Sequence, residues 1–175
     1  MRFTNGPLQD AWVIDPNPIE DERGRFMRAW CASEFAQHGV EFIPLQANMG
    51  FSTYPGTVRG MHFQQTPDLE AKLIRCTRGA IFDVIVDLRP GSQTYRKWFG
   101  VELNGCNNRM LYVPPSFAHG YQTLAENTEI YYLTSAMFAP ASACGIRFDD
   151  PAIGIEWPLA PTMVSNQDRN WRLLD

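Results

Sequence analysis

The sequence predicts an all-β fold, a sandwich or barrel of short strands with short peripheral helices. Strand-like segments follow one another along the chain, most bounded by Gly, Pro, Asn or Asp. Thirteen Gly and thirteen Pro punctuate the sequence, and 13% of residues are aromatic, which suits short strands joined by turns better than a helix bundle.

In order, the expected strands are 12–14, 25–30, 42–48, 58–64, 72–77, 80–88, 98–103, 110–113, 120–123 and 130–134. One helix is expected over 33–38, with Ser33 as N-cap, Glu34 in the first turn and Gly39 at the end. The Pro-rich stretch 151–161 reads as a tail packed over the surface. Within 81–87, Phe82, Val84 and Val86 share one face, while Ile81, Asp83, Ile85 and Asp87 share the other. That second face admits two readings: a solvated edge, or Asp83 turned inward against a His or Lys.

A chain of 175 residues fits a single domain, 1–175, with enough sequence to bury a core. The net charge of -4 shows no broad basic excess, so neither nucleic acid nor an anionic membrane is an expected partner. Cys31, Cys76, Cys106 and Cys144 have no zinc-ribbon or redox-dithiol spacing and read as free buried thiols. The N-terminus has no apolar signal core and no stretch reaches the length of a membrane span, so a soluble cytoplasmic protein is expected.

Arg59-Gly60-Met61-His62-Phe63-Gln64 sets His62 and Gln64 on one strand face and, with Gly56, Glu70 and Gly79, resembles the first cupin motif. Pro114 to Gly120, carrying His119, resembles the second. Gln64 stands where a metal-binding cupin carries a second His, and a neutral amide is a poor ligand for Fe, Mn or Zn, so no metal is expected. The chain has three His; with His38 on the helix, a pocket would hold at most His62 and His119. Lys72 shares a face with Ile74 and Cys76, so it either meets an anionic partner inside or lies at the solvated strand end. Tyr132 lies between Ile130 and Thr134 on one face, as a core residue or a pocket phenol. Arg23, Arg25, Arg28 and Arg59 read either as an anion clamp or as surface charge.

Taken together, Asp21 to Phe26, Gln46-Ala47-Asn48, Arg59 to Gln64, Lys72, Asp83 to Arg89, Gly91 to Tyr95, Phe117 to Gly120, Asp150-Pro151 and Glu156-Trp157-Pro158 resemble the dTDP-4-dehydrorhamnose 3,5-epimerase family. The resemblance covers most of the chain in order. It implies a cupin-type jelly-roll and a metal-free epimerase inverting C3, C5 or both in a nucleotide-linked 4-keto-6-deoxy sugar. It also implies His62 as base, oriented by Asp168, and Tyr132 as acid, with Lys72 facing the enolate. Arg23 and Arg59 match pyrophosphate contacts, Gln46, Asn48 and His119 match other substrate contacts, and Phe138 falls where an aromatic stacks on the nucleobase. Asp83 is expected in a supporting role. A homodimer exchanging N-terminal strands is implied as well, with Arg23 acting in the neighbouring subunit.

The chain departs from the family pattern at Arg28 and Ala143, where Glu is common, and at Phe138, where Tyr is common. The nucleotide is accordingly open between dTDP, CDP and GDP. Rival readings are a related cupin keto-sugar isomerase, a single-carbon epimerase, a metal-dependent cupin oxygenase and a non-catalytic nucleotide-sugar-binding cupin.

Overall fold

The strands form where β-branched and aromatic residues alternate with residues of another face, and they end at Gly, Pro or Asn turns. The structure is a computed structural model and describes residues 1–174; Asp175, the last residue of the expected domain, lies outside the described residues. The N-terminal part contains β1 (Arg2–Asn5), β2 (Trp12–Asp15), β3 (Ile19–Asp21), β4 (Gly24–Phe26), α1 (Ala32–Gln37), β5 (Gln46–Ser52) and β6 (Thr57–Gln64). The middle contains β7 (Lys72–Arg78), β8 (Ala80–Asp87), β9 (Trp98–Asn104), β10 (Met110–Val113), β11 (Phe117–Thr123) and β12 (Thr128–Thr134). The chain finishes with β13 (Ala143–Gly145), β14 (Met163–Val164) and α2 (Asn166–Arg169).

Two sheets stack face to face. One has the order β1-β2-β10-β7-β12-β5; the other has β13-β6-β11-β8-β9, with β14 parallel to β6. The pair β3–β4 stands apart as a hairpin. Between the sheets, Ile74, Cys76, Leu111, Val113 and Ile130 of the first meet Ile81, Ile85, Leu103, Phe117 and Tyr121 of the second. This core fills one part of the sandwich, and a cavity opens in the rest. The outer face of the first sheet is covered by Phe35 of α1 with Val40 and Phe42. The outer face of the second is covered by Ile146, Ile153, Ile155 and Trp157, so the Pro-rich tail is packed as expected.

Several expected boundaries move for physical reasons. The strand expected at 25–30 stops at Phe26, because the hairpin pairs only Ile19–Asp21 with Gly24–Phe26 and no partner strand continues beyond it. The strand expected at 42–48 begins at Gln46: Pro44 lacks the N–H a ladder requires, and Phe42 is buried beneath α1 instead. Ser33 is inside α1; the N-cap is Cys31, which makes no side-chain capping bond. Of the four free cysteines only Cys76 is fully buried, and Cys106 is exposed on the turn between β9 and β10.

Candidate active site

Period-2 alternation aims the chemistry inward. On β7, Lys72, Ile74 and Cys76 point between the sheets, while Leu73 joins the outer cluster. On β12, Ile130 packs in the core and Tyr132 borders the cavity. On β6, Arg59 and His62 reach the cavity from the opposite sheet. The change of phase between them falls where the β6–β11 register slips, between the pairs Tyr121–Arg59 and His119–His62. Gly60 occupies that irregularity with φ of 126°, and a Cβ there would come within 2.5 Å of the Gly120 backbone.

The cavity has two lobes, of about 600 and 290 Å³. His62, Lys72, Tyr132 and Gln167 border both. Arg59, His119 and Asp168 border the larger; Gln46, Asn48 and Phe138 border the smaller. The structure therefore brings nine of the expected positions together at one cavity. Arg23 is not brought there in its own chain. It sits on the exposed β3–β4 hairpin, bonded to Asp21.

Asp168 meets His62 through its Oδ1, 2.5 Å from Nε2. A carboxylate only accepts, so Nε2 is the donor in this pair, and in the neutral imidazole Nδ1 is the nitrogen that can accept a proton. Asp168 is fixed by α2: its backbone N–H donates to the Ser165 hydroxyl, a cap, and its Oδ2 accepts from the Gly60 N–H at 3.3 Å. Burial works to raise the pKa of Asp168, but the hydrogen bond and charge of His62 outweigh it and hold the carboxyl below its ordinary value.

Asp83 is fully buried and bonded through Oδ1 to His119 Nε2 at 2.7 Å, so it is turned inward against a His. Its companion Asp87 is also buried, accepting from Arg89, Ser92 and Thr94. Lys72 is 8% exposed, with Nζ 3.0 Å from Glu70 and 3.3 Å from the His62 carbonyl, which is the inward reading with an anionic partner. Burial first, then the charge of Glu70, raises the Tyr132 phenol above its ordinary value, with Arg59 opposing them. Burial likewise pushes Tyr121 up to about 12.

Gln64 is engaged elsewhere: its amide donates to the Asp68 and Met137 carbonyls and accepts from the Ala139 N–H. His62 and His119 each already give Nε2 to a carboxylate. Among the described residues no group of three His, Cys, Asp or Glu is placed to hold a metal ion.

A family model described as dTDP-4-dehydrorhamnose 3,5-epimerase matches residues 5–175. The chain belongs to the dTDP-4-dehydrorhamnose 3,5-epimerase family. It is an isomerase with the cupin-type fold of that family. The dTDP-4-dehydrorhamnose 3,5-epimerase of Methanothermobacter thermautotrophicus is 40% identical, over 99% of this chain and 95% of that protein. The Sinorhizobium fredii epimerase is 41% identical, over 95% of this chain and 86% of that protein. The crystal structure of the Bacillus anthracis epimerase, with TDP and pyrophosphate bound, has a TM-score of 0.96 and 35% identity, covering 99% of both chains.

Tyr121, Gln167 and Trp171 border the cavity without having been expected at the site. Glu70 belongs to the first cupin-like motif, and its two-residue spacing from Lys72 is a signal that both share a face. The helix α2 was also missed, although Ser165 and Asp168 have the spacing of an N-cap signature.

Proposed function

We propose that this epimerase inverts C3 and C5 of a dTDP-linked 4-keto-6-deoxy sugar by proton removal and return, with no metal or other cofactor. The observation that carries the reading is the entry of His62, paired with Asp168, and of Tyr132 into one cavity from opposite sheets, with Lys72 beside them. A carbon next to the C4 ketone gives up its proton only when the enolate is stabilised. The Lys72 ammonium, held in a largely buried position, supplies that stabilisation. His62 removes the proton through its free ring nitrogen, and Tyr132 returns one to the opposite face of the sugar, which inverts the centre. Each such proton-transfer role contributes ~10²–10⁴-fold.

Arg59 holds the pyrophosphate at the cavity mouth, where its guanidinium is already tied to the Phe51 carbonyl and the Ser52 hydroxyl. Gln46, Asn48 and His119 contact the substrate, and Asp83 supports His119. Phe138, 66% exposed beside the smaller lobe, offers a π-face to the base; the TDP bound to the Bacillus anthracis relative supports thymine as that base.

The protein functions as a homodimer of one-domain subunits in the cytoplasm. The β3–β4 hairpin leaves Ile19 and Phe26 exposed, and Met49 and Phe51 are exposed on the edge strand β5. These apolar groups suit contact between two copies, in which Arg23 reaches the neighbour's substrate. The free thiols suit a reducing compartment, and no helix among the described residues is long and apolar enough to cross a membrane.

The test is incubation of the protein with dTDP-4-dehydro-6-deoxyglucose in D₂O. Deuterium is expected at both C3 and C5 by NMR. No uptake with this compound or with its CDP and GDP counterparts refutes the reading.

A further inference from the structure

Trp171 follows α2 and is not part of the base, acid or substrate-contact set. Its indole nevertheless lies against the centre of the site. The indole Nε1–H donates to Asp168 Oδ1 at 3.3 Å, and this is the oxygen that His62 Nε2 meets at 2.5 Å. The indole and imidazole rings are edge to face, with centroids 6.5 Å apart. The indole rests on Gly145, the residue paired with His62 across β13 and β6. A Cβ at Gly145 would come within 2.3 Å of the ring, so this placement of Trp171 requires glycine at that position.

We propose that Trp171 is a positioning residue for the His62–Asp168 pair, its indole N–H fixing the carboxylate oxygen that faces the imidazole and Gly145 providing its seat. The inference rests on the reading of His62 as the base. An aspartate side chain has two rotatable bonds, so its contacts set the orientation of the carboxylate plane. Here the Gly60 N–H restrains one oxygen and the indole N–H restrains the other, which sets the plane presented to His62. The indole is a neutral donor, so it also takes a share of the negative charge on Oδ1 and moderates the pull of that oxygen on a protonated imidazole.

The experiment compares Trp171→Phe and Gly145→Ala with the parent in the full-length protein. The first keeps an aromatic ring and removes the N–H; the second keeps the indole and displaces it. Arg59, Glu70, Lys72, His119, Tyr121, Tyr132 and Cys144, the other ionisable groups bordering the cavity, are unchanged in both variants. For Trp171→Phe, kcat is expected to fall about tenfold, with KM within about twofold of the parent. The NMR titration midpoint of the His62 ring, read without substrate, is expected to rise, because Oδ1 then keeps its full negative charge. The acid limb of kcat/KM is expected to move the same way. Gly145→Ala is expected to reproduce both directions; if it does not fold, Trp171→Phe decides alone. An unmoved His62 midpoint in folded Trp171→Phe overturns the proposal, even with a lower kcat, because packing alone would give that result. A parent protein with no deuterium exchange sinks the epimerase reading instead, and the substrate-free titration still reports on Trp171.

Discussion

Asp83 on β8 and His119 on β11 meet at 2.7 Å between neighbouring strands, the carboxylate wholly out of water. The imidazole that the aspartate holds forms part of the cavity wall. Replacing Asp83 by Asn weakens a charge-assisted hydrogen bond in a dry setting. The expected loss is about 1–3 kcal/mol of stability, measured by urea unfolding. An unchanged midpoint would mean that the contact adds nothing to the fold.

His62→Ala is expected to abolish deuterium exchange while leaving dTDP binding within about twofold of the parent by calorimetry, since the proposed nucleotide contacts are Arg59 and Phe138. Asp168→Asn should lower exchange by ~10²–10⁴-fold, because a neutral amide no longer orients and stabilises the imidazolium. Exchange at the parental rate in His62→Ala would point to a different base.

Tyr132→Phe separates proton removal from inversion. Deuterium is expected to enter the sugar in D₂O from the His62 side, while inverted product, followed by NMR, falls ~10²-fold or more. Normal yields of inverted product would remove Tyr132 from the acid role. The pH dependence has a definite sign. Burial raises the phenol above its ordinary value of 10.0, so the protonated acid persists through pH 9 and the alkaline limb of kcat lies above pH 10.

Acid stability should track Asp87. Burial opposes ionisation of Asp87, but bonds from Arg89, Ser92 and Thr94 outweigh it and hold the carboxyl far below the usual range. A folded pKa below the unfolded one stabilises above about pH 4, and that contribution is lost as pH falls toward the folded value. Urea midpoints are expected to be flat above about pH 5 and to drop below about pH 4, with a shallower drop in Asp87→Asn. An equally steep drop in the variant would assign the effect to other carboxylates.

Exhaustive dialysis against EDTA is expected to leave turnover unchanged. Gln64 spends its amide on the Asp68, Met137 and Ala139 backbone, and neither cavity histidine has a free Nε2. Activity that disappears with the chelator and returns with iron or manganese would revive the oxygenase-type arrangement.

Much of this was legible in the sequence where burial imposes a strict period of two. Lys72 to Cys76, Ile81 to Asp87 and Ile130 to Thr134 could be assigned to faces because a shift of one residue would reverse every side chain. The choice of which face is wet could not be made from the same pattern: both faces of β8 are buried, one by the opposite sheet and the other by the tail around Ile153 and Trp157. Strand boundaries failed at Phe42, where a nearby proline outweighed an apolar run, and in the hairpin, which pairs three residues a side. The contact of Asp168 with His62 spans 106 residues and has no local signature, so only resemblance to a family pointed to it. Trp171 was invisible for a related reason: its position depends on a missing side chain at Gly145, on another strand.

The proposed base and acid belong to different sheets, His62 to β6 and Tyr132 to β12. The gap available to a sugar ring is therefore a dimension of the sandwich itself, about 10 Å between facing backbones. Side chains such as Ile74 and Ile85, packed between the sheets, act as spacers for this jaw. Bulkier or smaller spacers would change how wide it stands, so the filling of the interior sets the calibre of the reaction chamber.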